Sequence, residues 1–535
     1  MSDAVNRAEI PFVDWLARRL AEAGMRRAFG MPGGGTSLDL ITALRGAGVD
    51  TIISAREDAA VIMAGVSGIL GGGPGLAFTT KGPGLASAAN GLASAALDRM
   101  PALLISEGFD EAELEFVSHQ VISQPDLVAP LLRPVGGAAM AARPDAVEDW
   151  LTGDGPGPAV LFPSSADLSR PVSARAASTA APGIQAPDIG PARALLDGSR
   201  RPVVVVGLEA ARAAVSPALH RFVDRLGAPV LCTYMAKGCI SDDAPQYAGI
   251  FTGGAIEQPC VGAADLIVLI GLDPVELIRK PWPYDAPVLD LCERVYAPHY
   301  VTPACRVVAP LPVTLDALGP TVKAGDWRQQ DMAAHRRDFF AGMDMGGDGA
   351  LSSASVVKAA RDAFAATPSL SVDAGAHMFS ACSFWPAKAP RDVLISNGLA
   401  TMGFALPAAI AAALNDPTRG AVAMTGDGGL LMCLGELKTA VVTNANLTVI
   451  VFNDGRLSLI DIKREDRQMP DLGLSWALPD FAAIARGFGF TAWRVERAGD
   501  LAPALDAAAS ATGPRLVDVR VDASGYRDQM RALRG

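Results

Sequence analysis

Charge is scarce in this chain of 535 residues, and positive charge scarcer still: 46 Lys and Arg stand against 57 Asp and Glu, 19% of residues are charged, and the formal net charge is -11. Nucleic acids and anionic membrane surfaces reward basic patches, so neither is expected as a partner; a small molecule is. No stretch of about 20 apolar residues reads as a membrane span. The opening MSDAVNRAEIPFVDWLARRL lacks the uninterrupted apolar core of a secretion signal, and the expectation is a cytoplasmic protein. Seven cysteines, Cys232, Cys239, Cys260, Cys292, Cys305, Cys382 and Cys433, show no CxxC spacing and read as reduced core thiols. A P-loop NTPase is excluded, because GxxxxGK followed by Ser or Thr is missing. Only five histidines are present: His119, His220, His299, His335 and His377.

What is abundant is apolar: half the residues are hydrophobic, in β-branched runs that alternate with Ala/Leu-rich stretches. That rhythm predicts an α/β protein built of doubly wound parallel sheets. The length suggests about three domains. Ser164 to Pro191 and Pro312 to Gly349 break the rhythm, which predicts domains over residues 1–170, 185–320 and 350–527. The middle one holds two buried-strand patterns running into glycine turns, RPVVVVGLEA and ADLIVLIGLDPVEL, without GxGxxG, and a structural role is expected of it. Arg279 and Lys280 in ELIRKPWPY are its one hint of a nucleotide site.

The stretch TGDGGLLMCLGELKTAVVTNANLTVIVFNDG, Thr425 to Gly455, reads as strand, helix, strand. Parallel neighbouring strands would put Asp427 and Asn453 just beyond their carboxyl ends, where open α/β sheets bind ligands. Gly426, Gly428 and Gly429 let backbone approach a ligand, and a helix start offers N–H groups to phosphate. Asp427, the Asn453 amide oxygen and a backbone carbonyl near Gly455 are hard oxygen ligands that suit Mg²⁺ shared with a diphosphate. Taken alone, GDGG reads equally well as a turn, and NDG as a type I′ corner.

The pair is more specific. GDG followed after 24 residues by Asn resembles the cofactor motif of thiamin-diphosphate-dependent enzymes. GLATMGFALPAAI from Gly398, DAGAHMFSA from Asp373, FGMPGGGTSLDL from Phe29 and KGPGLASAANGLASAALDRMP from Lys81 are similar to segments of that family's acetolactate synthase and pyruvate oxidase branch. The resemblance implies pyrimidine-binding, central and diphosphate-binding domains in that order. It implies thiamin diphosphate and Mg²⁺ as cofactors, and a homodimer or homotetramer with active sites at the subunit interface.

Residue by residue, the resemblance puts Glu57 on N1′ of the aminopyrimidine, where a shared proton favours the tautomer that deprotonates the thiazolium. It gives Met402 the task of propping the bent cofactor, and places Gly34, His377, Gly426, Gly428, Gly429 and Asn453 against it. Asp427, Asn453 and Gly455 fall on the metal. Two departures stand out: Ala376 precedes His377 where the family has Gln, and Gly429 replaces a serine. SHQVISQPDLVAPLLRPVG aligns Gln120 with an active-site glutamine, with His119 beside it. The adjacent His pair of pyruvate decarboxylases is missing, as is the histidine that benzoylformate decarboxylases carry before the GPG-like loop. Carboligation is therefore expected to compete with simple decarboxylation of a 2-oxo acid. Lys81 and the basic loop Arg456 to Arg467 are left without assigned roles. FAD is not expected, because the central domain lacks the branch's flavin segment. The alternatives are an acyl-CoA lyase or decarboxylase and a non-catalytic family member.

Overall fold

Runs such as Pro202–Val206 and Leu266–Ile270 are buried at every residue, on both faces, and so need helices on either side. The computed structural model describes residues 9–132, 137, 139–153, 157–173, 187–278, 280–297, 299, 301–345, 351–364 and 367–535. Arg279 lies outside them, as do parts of both expected connections; within the second connection, Gln329–Met343 is helix.

A short antiparallel pair, β1 (Glu9–Pro11) with β8 (Pro171–Ser173), brackets the first sheet. That sheet contains β2 (Arg27–Met31), β3 (Asp50–Ile53), β4 (Gly75–Thr79), β5 (Ala102–Ser106), β6 (Ala139–Met140) and β7 (Ala159–Leu161), in the order β3-β2-β4-β5-β7-β6 and parallel throughout. The central sheet is parallel too: β9 (Pro202–Val206), β10 (Val230–Cys232), β11 (Tyr247–Ile250), β12 (Leu266–Ile270), β13 (Val288–Cys292) and β14 (Cys305–Val308), in the order β11-β10-β9-β12-β13-β14. The third comprises β15 (Ser369–Val372), β16 (Val393–Ile395), β17 (Ala421–Gly426), β18 (Leu447–Asn453), β19 (Thr491–Val495) and β20 (Arg515–Arg520), ordered β16-β15-β17-β18-β20-β19.

The first and third sheets share one topology, with the order reversing between β2 and β4 in one and between β15 and β17 in the other. Loops at the carboxyl ends of those strands frame the ligand crevice of an open sheet. They carry Gly33, Gly34 and Lys81 in the first domain, and Asp373 and Asp427 in the third.

By internal packing the chain forms two compact units: residues 1–183, 398–420 and 432–447, and residues 184–397, 421–431 and 448–535. In the first, Pro83–Leu97 and Ala405–Asn415 both pack on Glu57–Gly71, and a Cβ at Gly91 in the former would stand 2.5 Å from the Asp58 carbonyl. Small residues let these helices close up. In the second, fully buried Lys237 pairs with Asp242 at 2.5 Å, and that carboxylate also accepts from the Ala387 N–H. Among the described residues no helix is long and apolar enough to cross a membrane.

Candidate active site

In the third domain, β17 delivers Asp427, 2% exposed, to the start of the short helix Asp427–Met432. Its Oδ1 accepts from the Gly428 N–H and its Oδ2 from the Gly455 N–H, both at 2.8 Å. Gly455, at φ 71°, takes the left-handed turn that brings its N–H to this carboxylate. Burial, and then the neighbouring Asp454 carboxylate, push the Asp427 pKa up to about 6. A buried carboxylate with a second, half-buried one in its field favours a cation beside it. Asn453 completes the arrangement: its Nδ2 donates to the Asp518 carboxylate at 2.8 Å and to the Pro479 carbonyl at 3.0 Å, while its buried Oδ1 has no partner. An unpartnered buried acceptor is costly unless a ligand satisfies it. The Gly455 carbonyl accepts from the Trp476 N–H at 2.8 Å and keeps one lone pair. Among the described residues no group of three or more His, Cys, Asp or Glu is placed to hold a metal ion. This donor set is instead one carboxylate, one amide and one carbonyl, which fits a cation that takes its other ligands from phosphate and water.

His377 opens the helix His377–Phe384 and stacks on Phe452, with ring centroids 5.1 Å apart. Its Nε2 is buried without a partner, and burial lowers its pKa to about 4. A histidine that resists protonation in the fold but titrates near 6.5 when unfolded removes stability as pH falls between those values. From pH 7 to pH 4 the cofactor-free protein should lose on the order of 3 kcal/mol through this group, and His377→Asn should lose less over the same range. Urea unfolding at both pH values measures the difference.

Gly429, which stands where the family has a serine, is closely packed. A Cβ there would stand 2.1 Å from Asp373 Oδ2, an oxygen fixed by the Thr425 hydroxyl at 2.8 Å. Gly426 is looser, with its nearest neighbour the His377 ring at 3.6 Å; Gly428 is buried.

In the first domain Glu57 is the first residue of the helix Glu57–Gly71, half-buried, and among the described residues nothing hydrogen-bonds its carboxylate. What positions it is Glu436, which the sequence reading missed. Fully buried, Glu436 accepts from the N–H groups of Ala55 and Arg56, both at 3.0 Å, and from the Thr439 hydroxyl at 2.7 Å. Glu436→Ala would leave those donors unpaired in front of Glu57. A loss of about 1.5 to 3 kcal/mol is expected, measured by denaturant unfolding.

The turn Thr80–Gly84 connects the other predicted groups. A Cβ at Gly84 would lie 3.6 Å from Glu57 Oε1, and one at Gly82, φ 57°, only 2.3 Å from the Gln120 carbonyl. Gln120 itself has φ 62°, a strained value for a residue with a side chain and one found often at functional sites. Gln124 fixes the turn, accepting from the Gly82 N–H at 2.8 Å and donating to the Glu107 carbonyl at 3.0 Å. Gln120 and His119 are both exposed. The tight glycine of the PGGG loop is Gly33, whose Cβ would meet Thr80 Oγ1 at 2.4 Å and Glu107 at 2.9 Å; Gly34 has open space around it. Met402 is half-buried in a loop tied down by the Thr401 hydroxyl, which donates to Asn90 at 3.0 Å. Ala400, in the same loop, is held at φ 53°. The basic segment expected as a loop is largely the helix Ser458–Asp466, where Arg456 just before it and Arg464 within it both pair with Asp461.

Comparison with known proteins agrees along the chain. Residues 11–129 match the N-terminal TPP binding domain of thiamine pyrophosphate enzymes, 189–307 the central domain, and 373–519 the C-terminal TPP binding domain. The chain is 28% identical over 527 residues to an acetolactate synthase of Bacillus subtilis, covering 94% of this chain and 92% of that one. It is 28% identical over 542 residues to a catabolic acetolactate synthase of Raoultella terrigena, covering 96% and 95%. A probable 2-ketoarginine decarboxylase of Pseudomonas aeruginosa is also 28% identical, over 536 residues and 94% and 93% of the two chains.

Proposed function

Because the chain belongs to the thiamine-pyrophosphate-dependent enzymes, in their acetolactate synthase-like branch, we propose that it cleaves the carbon–carbon bond beside the carbonyl of a 2-oxo acid and joins the retained fragment to a second carbonyl compound. The observation that carries the site is Asn453 Oδ1, a buried acceptor without a partner, two residues before the Gly455 N–H that the Asp427 carboxylate binds. Asp427, Asn453 and the Gly455 carbonyl would hold Mg²⁺. The backbone of Gly426, Gly428 and Gly429, with His377, would face the diphosphate, and Gly34 and Met402 would line the rest of the cofactor. When bound, thiamin diphosphate supplies an electron sink for the pair left by the broken bond. Glu57 holds a proton at the cofactor's pyrimidine nitrogen, and Gln120, with His119 beside it, orients the incoming carbonyl. The enzyme would act as a homodimer or homotetramer in the cytoplasm.

The competing acyl-CoA reading needs a nucleotide site in the central domain. The strand order there is that of dinucleotide-binding sheets. Yet the turn N–H groups that would cradle a pyrophosphate, those of Leu208 and Asp273, both donate to Glu276 Oε2, at 2.8 and 3.0 Å. Burial raises the Glu276 pKa to about 8. A Cβ at Gly207 would lie 2.4 Å from Leu272 Cα, so the two glycine turns pack on each other. Lys280 is engaged by the Arg534 carbonyl. These features argue against FAD as well, and the purified protein should show no flavin absorbance; stoichiometric yellow colour would refute this.

The function is tested by incubating the loaded enzyme with a panel of 2-oxo acids and excess aldehyde or 2-oxo acid acceptor, recording CO₂ and product mass. CO₂ accompanied by a coupled product is expected. Free aldehyde alone from every accepted acid would leave a plain decarboxylase.

A further inference from the structure

Lys81 follows β4 at the point where the strand order of the first sheet reverses, the counterpart of Asp427 after β17 in the third. It sits inside the turn where a Cβ at Gly84 would lie 3.6 Å from Glu57 Oε1 and one at Gly82 2.3 Å from the Gln120 carbonyl. Its surroundings fix it twice. Gln124 clamps the adjacent Gly82 N–H at 2.8 Å, and the Lys81 ammonium stands over the Phe109 ring, 4.4 Å from the centroid. The side chain is half-buried, and among the described residues no carboxylate comes within the 4.0 Å of an ion pair. Elsewhere in this chain, half-buried cations such as Arg19, Arg306 and Lys358 are matched by acids. A cation oriented by a ring and left without a counter-charge is prepared for an anion from outside.

That anion is not the carboxylate that departs as CO₂. A fixed cation facing the leaving carboxylate would stabilise the reactant more than a transition state in which that charge is disappearing, and would slow the reaction. Resting on the 2-oxo acid chemistry proposed above, we propose that Lys81 selects a 2-oxo acid with a second, retained anionic group, a carboxylate, phosphonate or sulfonate, remote from the bond that breaks.

The test compares wild type, Lys81→Met and Lys81→Arg, each loaded with thiamin diphosphate and Mg²⁺, on pyruvate and 2-oxobutyrate against oxaloacetate, 2-oxoglutarate, phosphonopyruvate and sulfopyruvate. Wild type should favour at least one dianionic acid in kcat/KM by about 10- to 100-fold, with the preference expressed in KM. Which of them wins identifies the second group. Lys81→Met should abolish the preference and Lys81→Arg restore most of it, while calorimetry shows the same thiamin diphosphate affinity in all three. A wild type that prefers monoanions, a Met variant that weakens both classes equally, or a loss of cofactor affinity would each overturn the assignment. Calorimetric binding of glutarate against butyrate to the loaded enzyme separates the two readings. If no 2-oxo acid is turned over, glutarate bound at least tenfold tighter by wild type and not by Lys81→Met keeps the anion site and discards the cleavage reaction. Equal binding of the two acids discards the anion site.

Discussion

Asp427→Ala should abolish Mg²⁺-dependent binding of thiamin diphosphate while leaving the chain folded. The carboxylate is 2% exposed and anchors two backbone N–H groups, so its removal would take away both the ligand proposed for the cation and an anchor of the Asn453–Gly455 turn. A diphosphate held without its cation is a buried charge lacking its partner, and losing one member of such a pair costs about 3 to 5 kcal/mol. That corresponds to a Kd weakened by about 10² to 10⁴-fold. Circular dichroism should show native secondary structure, and calorimetry with and without Mg²⁺ reads the affinity. Unchanged binding in the variant would remove Asp427 from the metal site.

Glu57→Gln should fold and bind cofactor yet exchange the C2 proton of bound thiamin diphosphate far more slowly. The two side chains are nearly isosteric, and the loop before the helix is held by Glu436 rather than by Glu57 itself. Only the proton proposed for Glu57 at the pyrimidine nitrogen would be lost, and steps of this kind contribute about 10² to 10⁴-fold. Quenched-flow exchange followed by NMR reads it directly. An exchange rate equal to wild type would reduce Glu57 to a charge favourable at a helix start.

The two differ in how visible they were from sequence. Asp427 and Asn453 sit at the ends of short, largely buried strands with helix between, a local pattern whose spacing carries its own geometry. Glu436 could not be found that way. Its partners, Ala55 and Arg56, are 381 and 380 residues away in the chain, and nothing local distinguishes it from a surface glutamate on a helix. The crowding at Gly429 was hidden for a related reason: the Asp373 carboxylate beside it arrives from another strand. Likewise Gly33 and Gly34 look alike in PGGG, and only the approach of Thr80 and Glu107 separates them. The three parallel sheets were legible from their buried β-branched runs. The dinucleotide-like order of the central sheet was not, since strand order depends on long-range pairing. Nor was the blocking of its turns by Glu276, 68 residues from Leu208.

The central claim, a cation shared between Asp427, Asn453 and a bound diphosphate, is tested most directly by crystallising the protein with thiamin diphosphate and Mn²⁺ in place of Mg²⁺ and mapping the anomalous signal. One strong peak is predicted at about 2.0 to 2.2 Å from an Asp427 carboxylate oxygen and from Asn453 Oδ1, with the Gly455 carbonyl and diphosphate oxygens completing the shell. A peak elsewhere, or a diphosphate bound with Asn453 Oδ1 still without a partner, would contradict it.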